Sequence, residues 1–329
     1  MKMKSLSILG LILLVLVMIG GSVVFAENAI VEGPAAQIGR YKAWCTVAEF
    51  EGSDRLFIFG GDDLENKTPT EVYDFATGEW SIMGEDSWPP AGENSAIVTV
   101  DNKIFAFAGA NEDGFNKKAY LYNIEDGEWE ELPGEATMGH CDGAAAVVGK
   151  KVYVIGGESE GLANEGFDYA SAVDVYNTET NRWEIAAPLP LPRQDTFVVS
   201  AGTKVYILGG QGGNETDAQT ADVMILDTVK NEWSEGPDLP YAWEHPRAAS
   251  IDGKIYVMTG KGEGGYYIFE LDPEVDEWKE MASYNLVTRY GCGITAYAGK
   301  IYVACGKNMT GDYLKSIEVY TPALDSYVE

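Results

Sequence analysis

Several residue types are scarce in this sequence, and each shortage excludes a class of protein. Among 329 residues there are two histidines and four cysteines. His140 and His245 stand in no zinc spacing, and neither accompanies a Ser or Cys nucleophile signature. Cys45, Cys141, Cys292 and Cys305 are too few and too scattered to form a disulfide scaffold or a metal ribbon. Basic residues are also sparse: 23 Lys and Arg face 52 Asp and Glu, a net charge of −29. Such a surface repels nucleic acid and anionic membranes, so neither is an expected partner, and it favours solubility. No heptad or helical stripe runs through the chain, which argues against a bundle or coiled coil.

The one long apolar run is N-terminal. Lys2 and Lys4 precede Ile8 to Ile19, and Val24-Phe25-Ala26 offers a cleavage point before Glu27. Residues 1–26 therefore read as a secretory signal peptide. An uncleaved membrane anchor is the alternative, since Leu6 to Ala26 spans about 20 residues. On either reading the remaining chain is expected outside the cytoplasm, secreted or held at the cell surface or in a periplasm. Without the two lysines, 21 basic residues face 52 acidic ones, a net of −31.

What the chain has in abundance is glycine (38), tyrosine (19) and tryptophan (8), the composition of many short strands joined by tight turns. These residues repeat. A doublet ending in Gly occurs at 60–61, 108–109, 156–157, 209–210, 259–260 and 305–306, at intervals of 48, 48, 53, 50 and 46 residues. Three residues before each doublet stands an aromatic: Phe57, Phe105, Tyr153, Tyr206, Tyr256 and Tyr302. Downstream come Tyr73, Tyr122, Tyr176, Leu226, Leu271 and Tyr320, and seven residues later Trp80, Trp129, Trp183, Trp233, Trp278 and Tyr327. Two residues before each of those last aromatics is Gly, Asn or Asp, the types that best accept positive φ in a hairpin. In the third copy the strands read as 143–148, 151–155, 172–176 and 183–186. A four-stranded sheet of this size cannot bury both faces alone, so six copies imply radial stacking into a ring. Only Val328 and Glu329 follow Tyr327, a meagre last strand. Ile30-Val31 precedes Arg40 by the same ten residues that separate Trp183 from Arg193, so residues 27–39 are expected to add to or replace that strand.

These marks resemble the kelch repeat: a hydrophobic strand ending in Gly-Gly, a downstream Tyr, and a Trp about seven residues later. The resemblance implies an all-β fold, a six-bladed kelch-type β-propeller of four-stranded antiparallel sheets over residues 40–329. It departs from the pattern at Ala108, Thr259 and Cys305, at Leu226 and Leu271, and at Tyr327.

The resemblance further implies that the first strand of each blade lines the central channel and that ligands meet the loops entering it. At that entry, 16 residues before the doublet, stand His140, Arg193, Trp243 and Arg289, with Gly92 in blade two and Arg40 as the counterpart in blade one. The expectation is that Arg40, His140, Arg193 and Arg289 gather at one mouth and offer bidentate bonds to a carboxylate, a sulfate or an acidic peptide. The competing reading is that they brace loops against Asp, Glu or backbone carbonyls. Trp44, Trp243 and His245 either add a stacking wall for a sugar or peptide or pack at the rim.

The loops after the doublets are acidic and glycine-rich, but none matches a calcium loop and no helix follows to cradle phosphate, so no metal or cofactor is implied. Cys292 and Cys305 fall opposite one another in the last hairpin, which permits a disulfide or a pair of buried thiols. The function expected is an exported binding module for a protein, peptide or anionic glycan. One alternative is a carbohydrate mutarotase or epimerase of the sialic acid type, with channel Arg holding the carboxylate. The other is a passive structural domain of the cell envelope.

Overall fold

The computed structural model describes residues 16–19, 22–25, 29–62, 68–84, 87–159, 169–212, 218–261, 267–282 and 287–328. The proposed signal segment lies mostly outside this set; within it, Leu16–Ile19 pairs with Ser22–Phe25. Among the described residues no helix is long and apolar enough to cross a membrane.

Six four-stranded antiparallel blades follow in chain order. The third shows the design: Ala144–Val148, Lys151–Ile155, Val173–Asn177 and Arg182–Ile185, paired in that sequence from the inner strand outward. The turn before the outer strand requires positive φ, and Gly78, Gly127, Asn181, Asn231 and Asp276 supply it at +53° to +78°. It places Tyr176 directly across from Trp183. The same pairing recurs as Tyr73 with Trp80, Tyr122 with Trp129, Leu226 with Trp233 and Leu271 with Trp278.

The sixth blade is different. Its outer strand is Ile30–Glu32, which pairs with Ile317–Tyr320 and sets Ile30 opposite Tyr320. Tyr327, expected in that place, instead bridges Met281 of blade five and donates its hydroxyl to Glu270 at 2.7 Å. Asp325, the residue in the turn position, accordingly keeps a negative φ. The two chain ends thus close the ring on adjacent blades.

The glycine doublets mark the points where the second strand of a blade leaves its sheet. Gly157 has φ +89°, and a Cβ there would lie 2.4 Å from the Cys141 carbonyl oxygen; at Gly210 the clash is with Gln194, at 2.5 Å. Both obstacles are backbone of the inner strand's entry, so the second position tolerates only glycine. The first position is left-handed as well, yet Ala108 (+60°) and Cys305 (+61°) occupy it. Blades pack through aromatics on facing sheets, with Phe59 against Trp129 at 5.5 Å and Phe107 against Trp183 at 5.8 Å. The indoles of Trp129, Trp233 and Trp278 donate to carbonyls of the preceding blade's exit loop, at Ser87, Ala187 and Pro237.

All four cysteines are free and buried. Cys292 and Cys305 form no disulfide: the left-handed turn at Cys305 takes it off the ladder, and its thiol points to the Ile38 carbonyl at 3.8 Å. Burial pushes the Cys305 thiol up to about 12, which leaves it protonated and inert.

Candidate functional site

The entry residue of each inner strand does not face the channel. Arg40, His140, Arg193 and Arg289 are no more than 1% exposed. Each donates to the carbonyl of the first doublet residue in its own blade: Arg40 to Gly60 (3.0 Å), His140 to Gly156 (2.7 Å), Arg193 to Gly209 (3.3 Å) and Arg289 to Cys305 (2.7 Å). An acid two residues before the blade's tyrosine completes three of these braces. Glu71 meets Arg40, Asp174 meets His140 at 3.0 Å, and Glu318 meets Arg289 at 2.7 Å. Blade four has Met224 at that place, and Arg193 reaches only as far as Asp222 at 3.7 Å. Burial lowers the pKa of Arg193. Blade five fills the site with an aromatic pair, Trp243 against Phe269 at 6.0 Å.

The same positions also staple the blades. The backbone carbonyls of Arg40, Arg193 and Trp243 accept the second-glycine N–H of the preceding blade, from Gly306, Gly157 and Gly210, each at 2.8 Å. The structure therefore corrects the expectation that these guanidiniums and His140 form a ligand site at the mouth. A buried charge needs partners, and the carbonyls freed where the chain leaves the sheet at each doublet supply them, although Arg40 Nε and Arg193 Nη2 make no hydrogen bond among the described residues. Trp243, fully buried, is likewise part of the frame.

The mouth is built two residues further on. Lys42, Asn94, Asp142, Asp195, His245 and Gly291 occupy equivalent positions in the six blades, and all six have φ between +50° and +59°. That bend turns the strand entry toward the axis, and the first five line one small cavity of about 20 Å³, room for a single water. Backbone bonds link the ring: Asp195 N–H to the Asp142 carbonyl (3.1 Å), His245 N–H to the Asp195 carbonyl (2.8 Å) and Ala43 N–H to the Gly291 carbonyl (3.2 Å). Side chains cross it. Lys42 of blade one reaches Asp142 of blade three at 2.8 Å, Asn94 donates to the other Asp142 oxygen at 2.8 Å, and His245 Nδ1 lies 3.1 Å from Asp195.

Beneath the ring sits a plug. Trp44 stacks on Phe197 with centroids 6.0 Å apart and planes 17° from parallel, and the Arg247 guanidinium lies over both rings at 5.6 and 5.2 Å. Arg247 is buried and donates Nε–H to the Cys292 carbonyl at 2.7 Å. Burial lowers its pKa.

Charge at this mouth is mixed and crowded. Burial, followed by the neighbouring Asp142 carboxylate, pushes Asp195 up to about 7. For Lys42, burial works against the charged form, but Asp142 outweighs it and the pKa rises. The ligand atoms of Asp142, Asp195 and His245 all lie within 4.8 Å of one another, and they are of the types that hold divalent ions. Lys42 already meets Asp142, and Arg247 lines the same cavity, so side-chain cations fill that role.

Of the residues expected from the sequence, Trp44 and His245 do reach the mouth. Lys42, Asn94, Asp142, Asp195 and Arg247 were missed. The signal for Lys42, Asn94, Asp142 and Asp195 was the fixed offset of two from the entry residue; an extended strand would keep that offset on one face, and the left-handed bend at each position turns it toward the axis instead.

Comparison with known proteins agrees with the six-fold plan. The family model described as the KLHDC2/KLHL20/DRC7 Kelch-repeats domain matches residues 28–210 and again 139–328. Kelch-like protein 25 of Xenopus tropicalis is 28% identical over 160 residues, 48% of this chain and 25% of that protein. Human Kelch-like protein 23 is 26% identical over 278 residues, 83% of this chain and 39% of that protein. The bovine Rab9 effector protein with kelch motifs is 25% identical over 193 residues, 56% of this chain and 51% of that protein. Across these three the matched segment covers a quarter to a half of the relative's length. With the family model matched along nearly the whole described ring, and with the doublets, tyrosines and tryptophans in register, the chain belongs to the kelch-repeat family.

Proposed function

We propose that this propeller is a binding module that engages a segment of a partner protein at the mouth formed by Lys42, Asn94, Asp142, Asp195 and His245. One observation carries the reading: six equivalent left-handed bends meet at one opening, and five of them, all but Gly291, bring a polar or charged side chain there, on a frame whose other positions repeat. A rigid scaffold with variable chemistry at one place suits recognition. Kelch relatives, among them a protein named as a Rab9 effector, are consistent with a protein partner. The N-terminal apolar segment supports export, so the partner would lie outside the cytoplasm.

The mouth carries donors, acceptors and both signs of charge, which suits a polar peptide segment better than a purely anionic glycan. The mutarotase alternative needed Arg40, Arg193 and Arg289 to hold a carboxylate; these side chains are buried within the blades, so no observation favours it. A passive structural role predicts no saturable binding. The test is a peptide array probed with the mature protein and with Asp142→Asn and Lys42→Ala variants. Saturable hits weakened by either substitution support the reading, and hits indifferent to both, or none, overturn it.

A further inference from the structure

Below the Trp44–Phe197 stack the channel continues toward the hairpin face of the ring as a second cavity of about 430 Å³. It shares only Trp44 with the mouth cavity, so the stacked rings form a floor that separates the two. The contrast in chemistry is complete. Lys42, Asp142, Asp195, His245 and Arg247 all lie on the mouth side, whereas among the described residues no charged side chain lines the channel below. This holds in a chain whose net charge is −29.

The polar groups that remain below the floor are neutral and able to both donate and accept. Thr46, Thr99, Ser200, Ser250 and Thr295 line the cavity with hydroxyls. Thr46 and Thr99 bond to each other at 2.7 Å, each hydroxyl retaining further capacity. The inner strand of each blade is also paired on one side only, so its free edge presents alternating N–H and C=O groups to the axis. Small and branched residues such as Ala146 and Val199 keep the walls narrow. An aromatic floor, ambivalent hydroxyls on the walls and no charge together define the complement of a ring with one apolar face and hydroxyl groups at its edge.

We propose that this cavity binds a neutral, ring-sized polyhydroxylated molecule, a monosaccharide or cyclic polyol, entering from the face opposite the mouth. The site is independent of the peptide-binding reading, since it opens on the other side of the Trp44 floor. The cavity volume falls within the range of small-molecule sites, roughly 300–1,000 Å³.

The experiment is saturation-transfer NMR on the mature protein with D-glucose, D-galactose and myo-inositol as neutral probes and D-glucuronate as the charged one. Intrinsic tryptophan fluorescence serves as a second readout, with Trp44→Phe identifying the contribution of Trp44 among the eight tryptophans. The expected result is saturation transfer to at least one neutral probe, a matching fluorescence change, and little response to glucuronate. In a Ser250→Ala/Thr295→Val double variant, two lost hydroxyl contacts should weaken binding about tenfold or more. No response to any neutral probe, an equal response to glucuronate, or unchanged binding in a folded double variant overturns the proposal. Because the peptide array reads the other face, either result can fail while the other stands.

Discussion

Arg193 and Asp195 stand two residues apart on the same strand entry, and the fold uses them in opposite ways. Arg193 is wholly buried and reaches outward to the Gly209 and Asp222 carbonyls of its own blade. Asp195 turns inward at φ +50° and meets His245 of the next blade. Their counterparts repeat the division in blades one, three and five, as Arg40 and Lys42, His140 and Asp142, Trp243 and His245. A polar residue in a repeated register is thus as able to hold a blade together as to serve a ligand. What separates the roles is whether the side chain finds carbonyls that the sheet itself has left unpaired.

The contrast can be broken most sharply at the brace. Arg40→Ala leaves the buried Glu71 carboxylate without its cation and should cost about 3–5 kcal/mol of unfolding free energy, against about 1 kcal/mol or less for Lys42→Ala at the partly exposed mouth pair. Denaturant unfolding of the two variants checks this; equal losses would erase the distinction. A smaller effect sharpens the comparison between blades. Trp129→Phe loses the indole bond to Ser87, whereas Trp183→Phe removes an indole nitrogen that has no partner among the described residues. The former should therefore be costlier by about 1 kcal/mol in the same assay.

A third expected effect is a titration. Because the Asp195 carboxyl is raised to about 7, the folded state binds its proton more tightly than the unfolded state. Stability should then fall as pH rises from the ordinary carboxylate range, about 4, to about 7, and level off above. Asp195→Asn should flatten that segment of the curve, and Asp142→Asn should move the Asp195 midpoint down by removing the neighbouring negative charge. NMR observation of the Asp195 carboxyl carbon reads the midpoint directly; a midpoint near 4 in the wild type would count against a desolvated mouth.

The blade plan was legible because it is local. Positive-φ residues at the hairpins, the Gly that escapes a backbone clash, and the Tyr facing Trp are all short-range requirements that recur in the sequence. The site was only partly legible. The register of Arg40, His140, Arg193 and Arg289 was read correctly, but their partners Glu71, Asp174 and Glu318, two residues before a blade tyrosine, went unnoticed. Lys42 and Asp142 were hidden for another reason: they lie 100 residues apart and touch only across the axis.

By itself, then, the sequence determined six sheets, their order and the turns within them, since each depends on φ preferences and alternation over a few residues. Tertiary structure alone decided which polar side chains brace and which face the channel, and that Tyr327 docks on blade five, whereas the spacing of Ile30-Val31 before Arg40 already pointed to the strand that completes the last blade. Those outcomes depend on which backbone groups a neighbouring blade leaves free, and no stretch of one chain segment contains that information.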